Sequence, residues 1–259
     1  MKIIKPWSID KVSFTISRIR RIITKKGMVF DEVFDQFLKL HRIEKDELSS
    51  FTRGSIEFFN SKELGIQMKS LKDRLEFNLT GVYFLRNSNG FAILRHFFKK
   101  FDGRLSLTRI DYCIDFLGSS VNYFEFRQNQ SGFGKQSKQF FVIPERLHGA
   151  KGKQENVYFI AKNSRIEFCI YRKWQELEEN PNKKELYEKI FTISEEEKHK
   201  LLRFEIRFKK SNAKKFVWEK EKEVRSELLK IVKNKYLLQH LKDGRWQDDF
   251  KFIELISKL

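Results

Sequence analysis

Hydrophobic and polar positions alternate with a period of two along much of this chain. In KVSFTIS (11–17), Val12, Phe14 and Ile16 alternate with polar residues, and a strand is expected. DEVFDQFLKLHRI (31–43) changes period. Val33, Phe34, Phe37, Leu38 and Leu40 recur at helical spacing, which predicts an amphipathic helix. GSIEFFN (54–60), LGIQMKS (64–70) and RLEFNLTGVYFL (74–85) are short alternating segments broken by Asn, Ser, Lys and Gly, as in an antiparallel meander. GFAILRHFFKKFDG (90–103) returns to helical spacing, with Gly103 as its stop. LSLTRIDYCIDFL (105–117) is a strong strand, NVYFIA and RIEFCIY form a hairpin across KNS (162–164), and LLRFEIRFKK (201–210) is the last clear strand.

Between these lie less regular stretches. Residues 118–153 are rich in Gly, Ser, Gln and Asn, and predict a helix start or short strands plus a mobile basic loop. A charged helical region follows RIEFCIY to about residue 200, with NPNKKE (180–185) as its one break. From Ala213 to Leu259 the chain reads as basic and helical. The strands arrive as consecutive hairpins rather than βαβ units. The expected class is α+β, with a central, largely antiparallel sheet and flanking helices. Residues 1–210 would form one α+β domain, and 211–259 a basic helical region packed on it.

Period-two geometry also sorts the polar side chains. Arg109, Asp111, Cys113 and Asp115 share one face of their strand, and Ile110, Tyr112, Ile114 and Phe116 take the other. Arg74, Glu76 and Asn78 lie opposite Leu75, Phe77 and Leu79. Arg203, Glu205, Arg207 and Lys209 lie opposite Phe204, Ile206 and Phe208. If these strands join one sheet, its second face carries carboxylates and arginines. A few carboxylates plus a phosphate suffice for Mg²⁺ or Mn²⁺, which take hard oxygen ligands. The plainer reading is a solvated face whose ion pairs are each worth about 0–1 kcal/mol. Asp111 and Asp115 resist it, because Asp is disfavoured in strands and two share a face of the most apolar one.

Charge narrows the class of partner. The chain has 259 residues and a formal net charge of +18, which calls for an anion: DNA, RNA or a membrane surface. Its 27 Phe and 40% hydrophobic content suit a globular core. No apolar run of membrane-spanning length and no secretory leader is recognisable. Cys113 and Cys169 form no CxxC pair and sit in strand patterns, so they read as reduced core thiols of a cytoplasmic protein. His41, His96, His148, His199 and His240 are scattered and make no HxH or HxxxH pair. There is no P-loop, GxGxxG or Ser-His-Asp motif.

Four blocks carry a family resemblance. LTRIDYCIDF resembles the [FT]-x-R-[IL]-D-x-x-x-D strand of plasmid rolling-circle replication initiators of the staphylococcal type (the Rep-trans family), which also includes relaxases of integrative conjugative elements. RLEFNLTG is similar to that family's Arg-x-Glu-Phe strand. ENVYFIAKNSRIEFCIYRKWQE resembles its Tyr-x-Lys block, with Glu155, Tyr158, Phe159, Ser164, Tyr171, Lys173 and Glu176 in step. LLRFEIRFK is similar to its Arg-x-Glu-Ile strand. The blocks keep family order over about residues 70–210. Ala161 stands where the family has Gly, and its Trp before the Arg-x-Glu strand is missing.

The resemblance implies that Tyr171 attacks a DNA phosphodiester and forms a 5′-phosphotyrosine. It implies a divalent metal (Mg²⁺ or Mn²⁺) held among Glu76, Asp111 and Glu155, with Asp115 as an alternative. Arg109 and Lys173 would act in catalysis, with Arg172 and Arg203 as phosphate contacts. Lys214 and Lys215, in the basic C-terminal region, would contact the duplex origin. The implied partner is a replication origin with a hairpin or single-stranded nick site. Dimers and a host helicase are also expected from the family, and no membrane partner is. The alternatives are a relaxase acting at an origin of transfer, a non-catalytic nucleic-acid binder, and an RNA endonuclease.

Overall fold

In the computed structural model of the chain, ten strands hydrogen-bond into one antiparallel sheet. The structure describes residues 2–17, 21–23, 29–101, 103–118, 124–128, 140–144, 156–161, 166–218, 223, 226, 236–242 and 245–248. The chain opens with the long strand β1 (Lys2–Ser17), a small hairpin of β2 (Arg21–Ile23) and β3 (Val29–Asp31), and helix α1 (Glu32–His41). After a 3-10 turn at Lys45–Glu47 comes a meander: β4 (Ser49–Arg53), β5 (Ile56–Ser61), β6 (Ile66–Ser70) and β7 (Arg74–Leu79). Helices α2 (Gly81–Arg86) and α3 (Gly90–Lys100) lead into β8 (Leu105–Leu117). Then follow β9 (Phe124–Gln128), β10 (Phe140–Pro144), β11 (Asn156–Ala161), β12 (Ile166–Arg172), α4 (Lys173–Glu178), α5 (Pro181–Ile190), α6 (Glu195–Lys198), β13 (Leu201–Lys209), α7 (Ser211–Trp218), β14 (Tyr236–Lys242) and β15 (Arg245–Asp248).

The sheet order is β10-β11-β12-β13-β8-β1-β7-β6-β5-β4. Its two central strands, β1 and β8, are distant in sequence, so the middle of the sheet is a long-range contact. The face predicted to be apolar is the core. Val12, Phe14 and Ile16, Leu75, Phe77 and Leu79, Ile110 and Ile114, and Phe204, Ile206 and Phe208 are buried there with Phe34, Phe37 and Leu38 of α1 and Leu94, Phe97 and Phe98 of α3. The rings interlock. Phe14 stacks on Phe77 at 4.6 Å and meets Phe98 edge-on at 4.8 Å. A second, smaller cluster lies on the other face, where Trp174 and Leu177 of α4 and Tyr187 of α5 pack with Leu201.

Three local readings change. TGVYFL does not continue its strand, because α2 begins at Gly81. A Cβ on Gly81 would stand 2.5 Å from Asp10 Oδ1, so the turn needs glycine for close approach. The helical region does break at NPNKKE, between α4 and α5, but the break is confined to its start: the Asn180 side chain accepts from the Lys183 amide, Pro181 occupies the first turn, and the rest is helix. The C-terminal region is not helical throughout. It begins with α7 but includes β14 and β15, and β14 pairs with β9 from the 118–153 stretch (Tyr236↔Gln128 through His240↔Phe124). Local spacing in YLLQHLK fits either period, and the pairing with a distant strand decides it. Phe140–Pro144 of the same stretch forms β10, which pairs with β11, and residues 119–123, 129–139 and 145–153 lie outside the described residues.

Candidate active site on the second face of the sheet

The candidate residues stand in three cross-strand rows on β12, β13 and β8. Glu167 pairs with Arg207 and Arg207 with Asp111. Cys169, Glu205 and Cys113 form the next row, and Tyr171, Arg203 and Asp115 the third. Because successive residues of a strand alternate faces, all nine share the side opposite the core. Acids and guanidiniums therefore neighbour one another both along and across the strands.

Glu205 is the hub of the first cluster. Its Oε2 accepts from the Tyr171 hydroxyl at 3.3 Å, and its Oε1 accepts from Arg207 Nε at 2.7 Å. Arg109 donates from Nε to Asp111 Oδ1 at 2.8 Å and from Nη2 to Oδ2 at 2.5 Å, and the same Nη2 lies 3.8 Å from Glu205 Oε1. Asp111 and Glu205, from adjacent strands, thus converge on one nitrogen. Burial pushes the Asp111 carboxyl up to about 7, and the Glu205 charge adds to that against the Arg109 hydrogen bond. Burial also raises the Tyr171 phenol well above its usual value. Arg203 opposes that rise and Glu205 reinforces it. The ring is only 8% exposed.

The second cluster surrounds Arg203, which is fully buried. Asp115 accepts from its Nε and Nη2 at 2.5 and 2.7 Å, and Asp10 from its Nη1 at 2.5 Å. The Tyr187 hydroxyl donates to Asp115 at 2.7 Å, which ties α5 to the sheet. Asp10 is the extra residue of a bulge in β1. Ile9 pairs with Tyr112 and Lys11 with the adjacent Asp111, so Asp10 has no partner on β8 and its side chain reaches Arg203. Lys183 stands 3.8 Å from Asp10 and 2.8 Å from Glu176, which also accepts from the buried Lys173. Burial, with the Arg203 and Lys183 charges, lowers the Lys173 ammonium to about 7. Glu176, half-buried, is held at about 2 by Lys173 and Lys183 against the desolvation that would raise it.

The structure brings Tyr171, Arg109 and Asp111 together through Glu205, and it engages Asp115 with Arg203. It does not bring Glu76 to them. Glu76 pairs with Thr15 and Lys69 and bonds Arg74, and the Thr15 row meets β8 at Ser106, five residues before Asp111. That distance is about 17 Å along the strand. Asp111 and Asp115 share a face but sit about 13 Å apart. Glu155 lies outside the described residues. Among those described, no three His, Cys, Asp or Glu side chains gather as a metal cluster.

The proposed phosphate contacts divide. Arg172 alternates away from Tyr171 and lines a separate groove with Trp174, Lys198 and His199. Lys214 and Lys215 are on α7, which packs on the opposite side of the sheet through Ala213. Both cysteines are buried thiols outside any disulfide, but on this polar face, where Lys5 Nζ donates to Cys113 Sγ at 3.6 Å. Sequence reasoning placed Glu205 on the polar face of its strand beside Arg203 and passed over Asp10, Lys183 and Tyr187. Glu205 alternated visibly with Arg203 and Arg207. Asp10 carried no signal, because a bulge is not written in the period of a strand.

Comparison with known families places the chain in a class. Residues 102–233, half of the chain, match the family model for the N-terminal region of a phage replication-associated protein, and the chain is a rolling-circle replication initiator. It belongs to that family, whose class consists generally of nicking endonucleases acting on DNA. The matched span contains Arg109, Asp111, Tyr171, Lys173 and Glu205, whereas Asp10 and Glu76 precede it. No curated protein matches the chain. No helix among the described residues is long and apolar enough to cross a membrane.

Proposed function

We propose that the chain nicks and rejoins one DNA strand at a replication origin through Tyr171, with the tyrosine chemistry of the Rep-trans initiators that its sequence blocks resemble. The observation that carries this is the hydrogen bond from the Tyr171 hydroxyl to Glu205, a carboxylate that shares the Arg109 guanidinium with Asp111. A buried phenol is neutral at physiological pH and must lose its proton as it attacks. Glu205 Oε2 is placed to take it. The phenolic oxygen then bonds to phosphorus, the bond to the 3′ oxygen breaks, and that oxygen leaves as a 3′-hydroxyl after taking a proton from solvent. Arg109 is proposed to neutralise the non-bridging oxygens. With Tyr171 this covered, the origin strand must open the cover to reach it.

Asp111 and Glu205 are proposed as hard-oxygen donors for a divalent ion, because Mg²⁺ or Mn²⁺ needs only one or two carboxylates besides phosphate; the ion would have to displace the Arg109, Arg207 and Tyr171 hydrogen bonds that now occupy their oxygens. Glu155 remains a proposed third donor. Such an ion polarises a scissile phosphate and offsets charge that develops on it. Lys173, turned into the Glu176–Lys183 cluster, is proposed to position the end of β12 that carries Tyr171. The same chemistry would serve a relaxase at an origin of transfer, so the substrate alone separates the two.

The test is a nicking assay on supercoiled plasmid carrying the cognate origin, with Mn²⁺. Wild type is expected to relax the plasmid and remain covalently on the 5′ end. Tyr171→Phe is expected to bind the origin but form no adduct, and an adduct in that variant refutes the assignment. Binding without nicking on any cognate origin would favour a non-catalytic DNA binder.

A further inference from the structure

The half of the second face away from Tyr171 is also built in rows. Arg109 pairs with Ser13, Ser13 with Asn78, Asn78 with Gln67, Gln67 with Asn60 and Asn60 with Ser49, so one polar row crosses from β8 to β4. It is hydrogen-bonded side chain to side chain. Ser13 Oγ donates to Asn78 Oδ1 at 2.9 Å, and Asn78 Nδ2 donates to Gln67 Oε1 at 2.8 Å. At its far end Asn60 Oδ1 is buried and meets no donor among the described residues. That residue lines a groove with Gln67 and Thr80, closed by Asn180 and Asn182 at the start of α5.

The next row ends in aromatic rings. Phe51 on β4 stacks on Phe58 of β5 with centroids 4.7 Å apart and ring planes 3° from parallel, and Lys69 Nζ lies 5.9 Å over Phe58. Phe51 is 57% exposed on an edge strand, where an apolar ring gains nothing from the core. Arg53, Lys69 and Arg74 are exposed on the same face, and Glu76 is bonded to Arg74.

We propose that this face is a track for single-stranded DNA, leading from Arg109 over the amide row to the Phe51–Phe58 pair. The proposal rests on the nickase reading, because it takes up the strand that passes Tyr171. Three features select this ligand. A base can stack on an exposed ring only when it is unpaired. Amide and hydroxyl side chains meet base edges, and Gln67 and Ser49 are the exposed members of this row. The surrounding cations complement phosphate. The track spans five inter-strand steps, about 24 Å, which is enough for several nucleotides.

The experiment measures fluorescence anisotropy on the full chain with two origin oligonucleotides. One ends beside the nick site and one extends about eight nucleotides beyond it, within the site size usual for such platforms. Adduct formation on the short strand is scored in parallel. Wild type is expected to bind the long strand more tightly. Phe51→Ala should lose about tenfold of affinity for the long strand, as removal of one stacking ring does, while keeping short-strand affinity and the adduct. An abasic stretch in the extension should reproduce the loss in wild type. Equal affinities of wild type for both strands would overturn the proposal. So would an unchanged Phe51→Ala, or a Phe51→Ala that turns a dimer into a monomer in sedimentation, which would make the face a protein contact. A length-dependent gain with no adduct on the short strand would refute the nickase reading and leave the track standing.

Discussion

Replacing Arg203 with Met would remove the cation at the centre of the second cluster and keep most of its volume. Arg203 is fully buried, with Asp115 bonded to two of its nitrogens and Asp10 to the third. Burial alone would push both carboxyls up. The Arg203 guanidinium overrides that and holds Asp115 below its ordinary 3.8 and Asp10 well below it. Their stabilisation is therefore present above about pH 4 and fades as the pH falls through the depressed values. In Arg203→Met the largest influence opposing the desolvation of Asp115 is lost, leaving only the Lys5 and Lys173 charges and the Tyr187 hydroxyl, so its folded pKa rises. The deficit should then be largest at neutral pH, where a buried charge is stranded, and smaller in acid, where the carboxyl can be neutral. Breaking a buried pair from one side costs about 3–5 kcal/mol, a large part of the roughly 5–15 kcal/mol that holds a domain together. Urea unfolding at about pH 5 and about pH 8, followed by circular dichroism, reads this directly. Adding Asp115→Asn to the variant should restore part of the loss at pH 8, because the two sites are in contact. A deficit below about 1 kcal/mol at pH 8, or one equal at both pH values, would refute the reasoning.

Lys173→Met tests the neighbouring cluster. The ammonium is lowered from 10.5 to about 7, so the unfolded chain binds the extra proton between those values and wild-type stability should rise with pH across that window. The variant should lose that rise, and an identical pH profile would count against a buried, depressed lysine. Gly81→Ala should lower stability by about 1–3 kcal/mol, although alanine is the better helix former. Its Cβ would press on Asp10 Oδ1 at 2.5 Å and on Lys183 at 3.0 Å, and Asp10 cannot yield while Arg203 holds it. A raised melting temperature in that variant would mean that the approach is looser than described.

The polar half of each strand was legible because the period of a strand is two. Arg109, Asp111 and Asp115 were assigned to one face, and they share it. Once α4 followed β12, Tyr171 had to fall at the end of a strand. The apolar half was equally plain: Val12, Phe14 and Ile16, or Phe204, Ile206 and Phe208, could only point into a core. Such statements need no knowledge of neighbours.

Which acids meet the tyrosine depended on neighbours alone. Asp111, Asp115 and Glu76 were equal candidates by residue type. Antiparallel register between β13 and β8 set Asp111 beside Arg207 and Asp115 beside Arg203, and left Glu76 two strands and several rows away. Glu205 became the tyrosine's partner because strand pairing put β13 between β12 and β8. Asp10 entered through a bulge, and β14 became a strand by pairing with residues more than a hundred positions earlier. The sequence by itself determined the class of fold, the face that carries the acids and arginines and the charge of its partner, since these follow from local period and composition. The tertiary structure alone decided which charges neutralise one another and which carboxylate receives the phenol's hydrogen bond, because those energies depend on separations of a few ångströms between residues far apart in the chain.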